Sequence, residues 1–163
     1  MKISRVLAEK AFYNYVSNYD ETNEKTKLKV EHTLRVAELC ENIAESIGLN
    51  DDDINLAWLL GLLHDVGRFE QIKRYGTFND LKSVDHAKLG ASILFDKGRI
   101  QDYIEDHSED DLIRIVIENH NSYRVPEDIS ERCRTFSNIL RDADKIDIFK
   151  VNTTSPSITN IVS

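Results

Sequence analysis

Apolar residues recur every three or four positions through most of this chain, and no stretch alternates with a period of two, so the pattern predicts helices and no strands. Val6, Ala11, Phe12, Tyr15 and Val16 line one side of a first helix over about 4–19, with Ser4 as its cap. Val30, Leu34, Ala37, Cys40, Ile43, Ala44 and Ile47 do the same for a second helix over about 26–47, with Gly48 as its stop. A central segment then runs Ala57-Trp58-Leu59-Leu60-Gly61-Leu62-Leu63-His64-Asp65-Val66-Gly67-Arg68. Its first part is apolar on every side, which predicts a helix buried nearly all round, and Gly67 stands where such a helix would end. Asp51, Asp52 and Asp53 offer it a cap and favourable charge at its N-terminus.

Beyond Gly67 the periodicity weakens. The stretch 68–84 mixes Phe69, Ile72, Tyr75 and Phe78 with charges and reads as a functional loop holding a short helix; its aromatics Phe69, Tyr75 and Phe78 read as exposed and able to stack on a base, and their helical spacing is equally compatible with packing. Asp85 caps a helix reaching Phe95 that Lys97 and Gly98 close, Ser108 opens another through Asn119, and Pro126 marks the turn before a last long helix over about 129–150. The remainder, 151–163, is rich in Ser, Thr and Asn and carries no helical pattern. The expected architecture is therefore all-α: one helical-bundle domain over 1–150, of about six to seven helices, followed by a tail over 151–163.

Composition narrows this further. A chain of 163 residues can bury a core without disulfide staples. Cys40 and Cys133 lack a CxxC spacing and read as reduced, partly buried thiols. No apolar signal-peptide core and no run of about 20 apolar residues is visible, which points to a soluble, cytoplasmic protein off the membrane. A net charge of −8 opposes binding to nucleic acid, yet leaves room for a small phosphorylated ligand where a metal ion and one or two cations reverse the field locally.

Three readings compete for His64 and Asp65: a packed core pair, a proton-transfer pair requiring a nucleophile, and a metal site. The last requires further His and Asp residues on inward helix faces. Residues three or four apart share a face. His32 lines up with Val36, Leu39 and Ile43, His86 with Leu89, Gly90 and Ile93, His120 with Ile113, Val116 and Ile117, and Asp144 with Leu140 and Ile148, whereas Arg141, Asp142 and Lys145 are directed elsewhere. His107 shares no apolar face. Imidazoles and carboxylates without thiolates suit iron, manganese, cobalt or zinc. These six candidate ligands exceed what one structural zinc needs and fit two adjacent ions with a carboxylate such as Asp65 between them.

His32, the doublet His64-Asp65 and Asp144, in that order on a helical chain, resemble the H…HD…D signature of the HD-domain metal-dependent phosphohydrolases. The resemblance covers roughly 31–149, and the setting Leu-Leu-His-Asp-Val-Gly-Arg and the closing Arg141-Asp142-Ala143-Asp144-Lys145-Ile146-Asp147 strengthen it. Two-metal members add two further histidines, the first followed four residues later by glycine, which His86, Gly90 and His120 match. The resemblance implies that His32, His64, Asp65 and Asp144 hold one divalent ion and Asp65, His86 and His120 a second. The glycine-tyrosine-proline motif of the cyclic-di-nucleotide branch is missing. So is the acidic residue three positions after the doublet in the deoxynucleotidase branch, where this chain has Arg68. The short two-metal proteins, such as diadenosine tetraphosphate hydrolases, fit better.

The expected chemistry is hydrolysis of a phosphate ester or anhydride in a nucleotide-like substrate, by metal-bound hydroxide held beside Asp65. Arg68 is the candidate clamp on a phosphoryl oxygen and Lys145 a weaker one, with Lys73, Arg74 and Lys82 as possible lining of the entrance. Two alternatives belong to other classes: a di-iron oxygenase of the same superfamily, and a metal- or nucleotide-binding sensor module without turnover. A homodimer is compatible with every one of these readings.

Overall fold

The computed structural model describes residues 1–154 and shows seven α-helices, with no strand among the described residues. These are α1 (Arg5–Val16), α2 (Glu24–Ser46), α3 (Asp51–Leu63), α4 (Val66–Tyr75), α5 (His86–Ala91), α6 (Asp110–Asn119) and α7 (Glu131–Thr154). Short side chains start several of them by accepting orphan amide hydrogens. Ser4 takes Leu7, Asn23 takes Lys25, and Asp85 takes both Ala87 and Lys88. Asn50 caps α3 through the amide of Asp53, and the three aspartates fill the first turn instead.

Helix α3, apolar without interruption from Leu56 to Leu63 and buried over that stretch, forms the centre, with α2 packed along it and α7 crossing both. Glycine permits the closest approach. A Cβ on Gly61 would lie 2.6 Å from the Cα of Ala37, so α2 and α3 meet backbone to backbone there. Phe12, Tyr15 and Phe69 close the other end through edge-to-face ring contacts, and the Tyr15 hydroxyl donates to the carbonyl of Val66 at 2.8 Å.

Five expectations change. The central helix stops at Leu63, not at Gly67, and α4 begins two residues later. Gly67 lies inside α4, where a Cβ would sit 2.2 Å from the carbonyl oxygen of His86, so it serves contact with α5 and not helix termination. The segment after it does hold a short helix, since α4 runs to Tyr75 and ends at Gly76 in the left-handed region, but its aromatics pack instead of facing solvent: Phe69 and Phe78 are buried, and only Tyr75 of the three is exposed. Helix α6 begins at Asp110 and not at Ser108, whose amide instead donates to Asp106. Helix α7 continues four residues beyond 150, to Thr154, so the tail begins later than its polar composition suggests; the rest of it, 155–163, lies outside the described residues. Cys40 and Cys133 are both buried, and burial pushes the Cys40 thiol far up. No helix among the described residues is long and apolar enough to cross a membrane.

Candidate metal centre

His64 and Asp65 form the two-residue junction between α3 and α4. His64 still has helical torsions, whereas Asp65 (φ −107°, ψ 16°) turns the chain, so one imidazole and one carboxylate emerge together from the most buried part of the fold. Around them the bundle brings His32 from the middle of α2, His86 from the first position of α5, His120 from just after α6 and Asp144 from α7.

Asp65 stands between two pairs of imidazoles. Its Oδ2 lies 3.5 Å from His32 Nε2 and 3.4 Å from His64 Nε2, and its Oδ1 lies 3.5 Å from His86 Nε2 and 3.7 Å from His120 Nε2. Within the pairs the Nε2 atoms approach each other to 3.3 Å and 3.1 Å. Asp144 Oδ1 joins the first pair, 3.1 Å from His32 and 3.6 Å from His64.

The outer ring nitrogens explain why every Nε2 faces inward. Nδ1 of His64 donates to the Gly61 carbonyl and Nδ1 of His120 to the Ile117 carbonyl, each at 2.7 Å. Nδ1 of His32 meets Asp147 at 2.7 Å, and Nδ1 of His86 meets Asp80 at 2.6 Å. Each of those carboxylates is neutralised by an arginine, Arg35 for Asp147 and Arg68 for Asp80. Carbonyls and carboxylates only accept, so Nδ1 carries the hydrogen in all four rings, and in the neutral ring Nε2 is a bare lone pair. Two lone pairs at 3.1–3.3 Å repel unless positive charge lies between them. Donors each about 2.1 Å from one ion are separated by roughly 3.0 to 3.4 Å, so imidazole nitrogen and carboxylate oxygen at these spacings fit borderline divalent ions. His32, His64 and Asp65 form one such group and Asp65, His86 and His120 another, and no cysteine joins either.

The electrostatics point the same way. Burial alone would push the His64 imidazolium down, but the carboxylates of Asp65 and Asp144 raise it to about 10, so without an ion its Nε2 holds a proton in the place a metal cation would take. Burial would raise Asp65 and Asp144, yet Lys29 and His64 hold Asp65, and His32 and His64 hold Asp144, well below the usual carboxylate range. Burial lowers His86 to about 4 despite Asp80, keeping it in the neutral form that binds metal.

The other expected residues are placed differently. Arg68 is buried, its Nη1 donating to Gln71, to the Phe78 carbonyl and to Asp80, while its Nε lies 3.8 Å from Asp65 Oδ1 with no hydrogen-bond partner. Lys145 is exposed on α7 and joins neither group, as are Lys73, Arg74 and Lys82. His107 is exposed and pairs with Asp110. Three participants escaped the sequence reading. Lys29, 2.7 Å from Asp65 Oδ2, lies three residues before His32 on the same face, and Asp147 lies three after Asp144; both spacings were available as signals. Asp80 opens a single 3-10 turn (Asp80–Lys82) between α4 and α5 and carries no periodic signal.

Comparison with known proteins adds two findings. A family model described as HD domain matches residues 30–149, most of the chain. The 3'3'-cGAMP-specific phosphodiesterase 1 of Vibrio cholerae serotype O1 (strain ATCC 39315 / El Tor Inaba N16961) is 39% identical over 44 residues, which cover 27% of this chain and 10% of that protein. The match thus spans about a tenth of the length of that curated relative. No solved structure is significantly similar.

Proposed function

The chain belongs to the HD-domain family, and from that premise we propose that it is a metal-dependent phosphohydrolase acting on a phosphate ester or anhydride of a nucleotide-like small molecule. One observation carries the reading: four imidazoles, each locked through Nδ1, aim their Nε2 atoms at the two oxygens of one buried carboxylate, Asp65. The local match to a protein named as a phosphodiesterase for 3'3'-cGAMP supports both the bond type and the substrate class.

His32, His64, Asp65 and Asp144 would hold one divalent ion and Asp65, His86 and His120 a second. Ions held there supply Lewis acidity toward a phosphoryl group and lower the pKa of water from about 16 to about 7. The side chains supply the geometry. Asp65 turns one oxygen to each pair of imidazoles and would belong to both ligand sets, and Asp147 and Asp80 fix the rings of His32 and His86. Arg68, anchored through Nη1, keeps its Nε beside Asp65, where a planar guanidinium can meet a phosphoryl oxygen. Lys145, exposed on α7 next to Asp144 in the chain, would add positive charge for an approaching anion.

The test is a metal assay and a turnover screen on the same protein, using mononucleotides, cyclic nucleotides and dinucleoside polyphosphates with Mn2+, Fe2+, Co2+ and Zn2+. Asp65→Ala is expected to remove both bound metal and phosphate release, while His107→Ala leaves them unchanged. Turnover retained in Asp65→Ala would refute the assignment.

A further inference from the structure

The two carboxylates that orient rings of the candidate centre are held in different ways. Asp147, behind His32, sits on α7 and takes Arg35 from α2, so two long helices fix it. Asp80, behind His86, stands on the connection between α4 and α5, whose regular structure is the 3-10 turn Asp80–Lys82. No long helix carries that carboxylate, so side chains from elsewhere have to hold it.

Gln71 on α4 is the side chain placed to do so, and it is 0% exposed. Its Nε2 donates to Asp80 Oδ1 at 2.9 Å, to Ser83 Oγ at 2.9 Å and to the Val84 carbonyl at 3.1 Å. Its Oε1 accepts from Arg68 Nη1 at 2.9 Å. Ser83 spends its own hydrogen on the Asn79 carbonyl at 2.8 Å, so its oxygen can only accept from Gln71. The carboxamide therefore has one orientation, because turned over it would set its oxygen against three acceptors and its N–H2 against the guanidinium. One buried amide thus ties α4 to three points of the connection and leaves Asp80 Oδ2 to meet His86 Nδ1 at 2.6 Å.

The ion that His86 would help to hold is the more sensitive of the two. Its set is His86, His120 and Asp65, three donors with one carboxylate that is shared. The other set adds Asp144 to His32, His64 and Asp65, which makes four donors with two carboxylates. An ion held by fewer donors depends more on the aim of each, and outer partners that aim a ligating ring change metal affinity.

We propose that Gln71 is a positioning residue for the second metal position: by holding Asp80 against His86 it decides whether the chain carries one divalent ion or two. This rests on the two-ion reading of the centre and adds to it a residue that belongs to neither ligand group.

The experiment is calorimetric titration of the metal-free full chain with Mn2+. The wild type is expected to take up two ions, the first more tightly. Gln71→Met, which keeps the length and removes the amide, is expected to bind the first ion within about twofold of wild type and the second about 10-fold more weakly. Gln71→Glu keeps the acceptor for Arg68 but sets a carboxylate against Asp80, so its second ion is weakened at least as far. Asn50→Ala removes the cap of α3, remote from both groups, and is expected to lower stability while keeping both affinities. A loss confined to the second ion is then no consequence of a weaker fold. In the wild type, the side-chain N–H2 signals of Gln71 followed by 15N NMR are expected to move with the second equivalent of Zn2+ and not with the first, which requires no variant to fold. Unchanged affinity for the second ion in a folded Gln71 variant, equal weakening of both ions, or Gln71 signals indifferent to the second equivalent each overturn the proposal and leave the metal centre standing. A wild type that binds no second ion defeats the two-ion reading itself, and the proposal with it.

Discussion

Asp147 stays charged in a place where burial alone would protonate it. Its bonds to His32 and to Arg35 outweigh that burial and lower its pKa to about 2. A carboxylate depressed in the folded state stabilises the protein above its unfolded pKa, near 4, and that contribution is lost as pH falls through about 2. Asp147→Asn is therefore expected to cost about 2 kcal/mol at pH 7 in chelator, measured by urea unfolding. The gap to wild type should close below about pH 2. A deficit independent of pH would mean that the ion pair is not its source. The same substitution puts an amide N–H2 against Arg35 and loosens the His32 ring, so divalent-metal affinity should drop by about 10- to 100-fold in a direct titration.

At the level of elements, two backbone approaches set where the ligands fall: α2 on α3 at Gly61, and α4 on α5 at Gly67. Gly67→Ala places a methyl 2.2 Å from the His86 carbonyl and 2.7 Å from the Gly90 amide nitrogen, so α5 must move off α4 and carry His86 away from Asp65. The expected result is a loss of about 3 kcal/mol together with loss of metal from the His86–His120 side. Gly76→Ala is the control. That residue has φ +65° and open space around it, so alanine costs about 1 kcal/mol through backbone strain and leaves metal content intact. Inductively coupled plasma analysis beside a denaturant curve separates the two outcomes.

The same glycine marks the limit of what was legible beforehand. Apolar periodicity records which face of a helix is buried, and for that reason His32, His86, His120 and Asp144 could be placed on inward faces from spacing alone. It does not record where an axis turns: apolar residues run on through Leu63, Val66 and Phe69 while the backbone breaks at Asp65. A glycine lacking a Cβ for the sake of a neighbouring carbonyl looks identical in sequence to one ending a helix. Lys29 shares the face of His32, but a lysine on a helix ordinarily faces water, and only the acceptor 36 positions later, Asp65, shows otherwise. Asp80 was beyond reach, since its partners Arg68 and His86 are chosen by how the loop over 76–85 folds back.

For the whole molecule, the candidate ligands come from α2, the α3–α4 junction, α5, the end of α6 and α7, so an ion held by them ties together segments far apart in the chain. An ion that binds the folded state at about 100 times its Kd adds about 2.7 kcal/mol, or on the order of 5 to 10 °C in Tm for a domain of this size. Chelation should remove that increment. Lys29 modulates it, because its ammonium lies 2.7 Å from the Asp65 oxygen that faces His32 and His64. In the metal-free protein this cation offsets a buried carboxylate, and removing one partner of such a pair costs about 3 to 5 kcal/mol. An ion held by His32, His64 and Asp65 would be opposed by that same cation across this oxygen. Lys29→Met is therefore expected to lower the Tm of the chelated protein far more than that of the metal-loaded one, so that the metal-induced rise in Tm exceeds the wild-type rise. Parallel thermal scans with and without Mn2+ test this, and an equal or smaller rise in Lys29→Met would show that Asp65 does not face the bound ion.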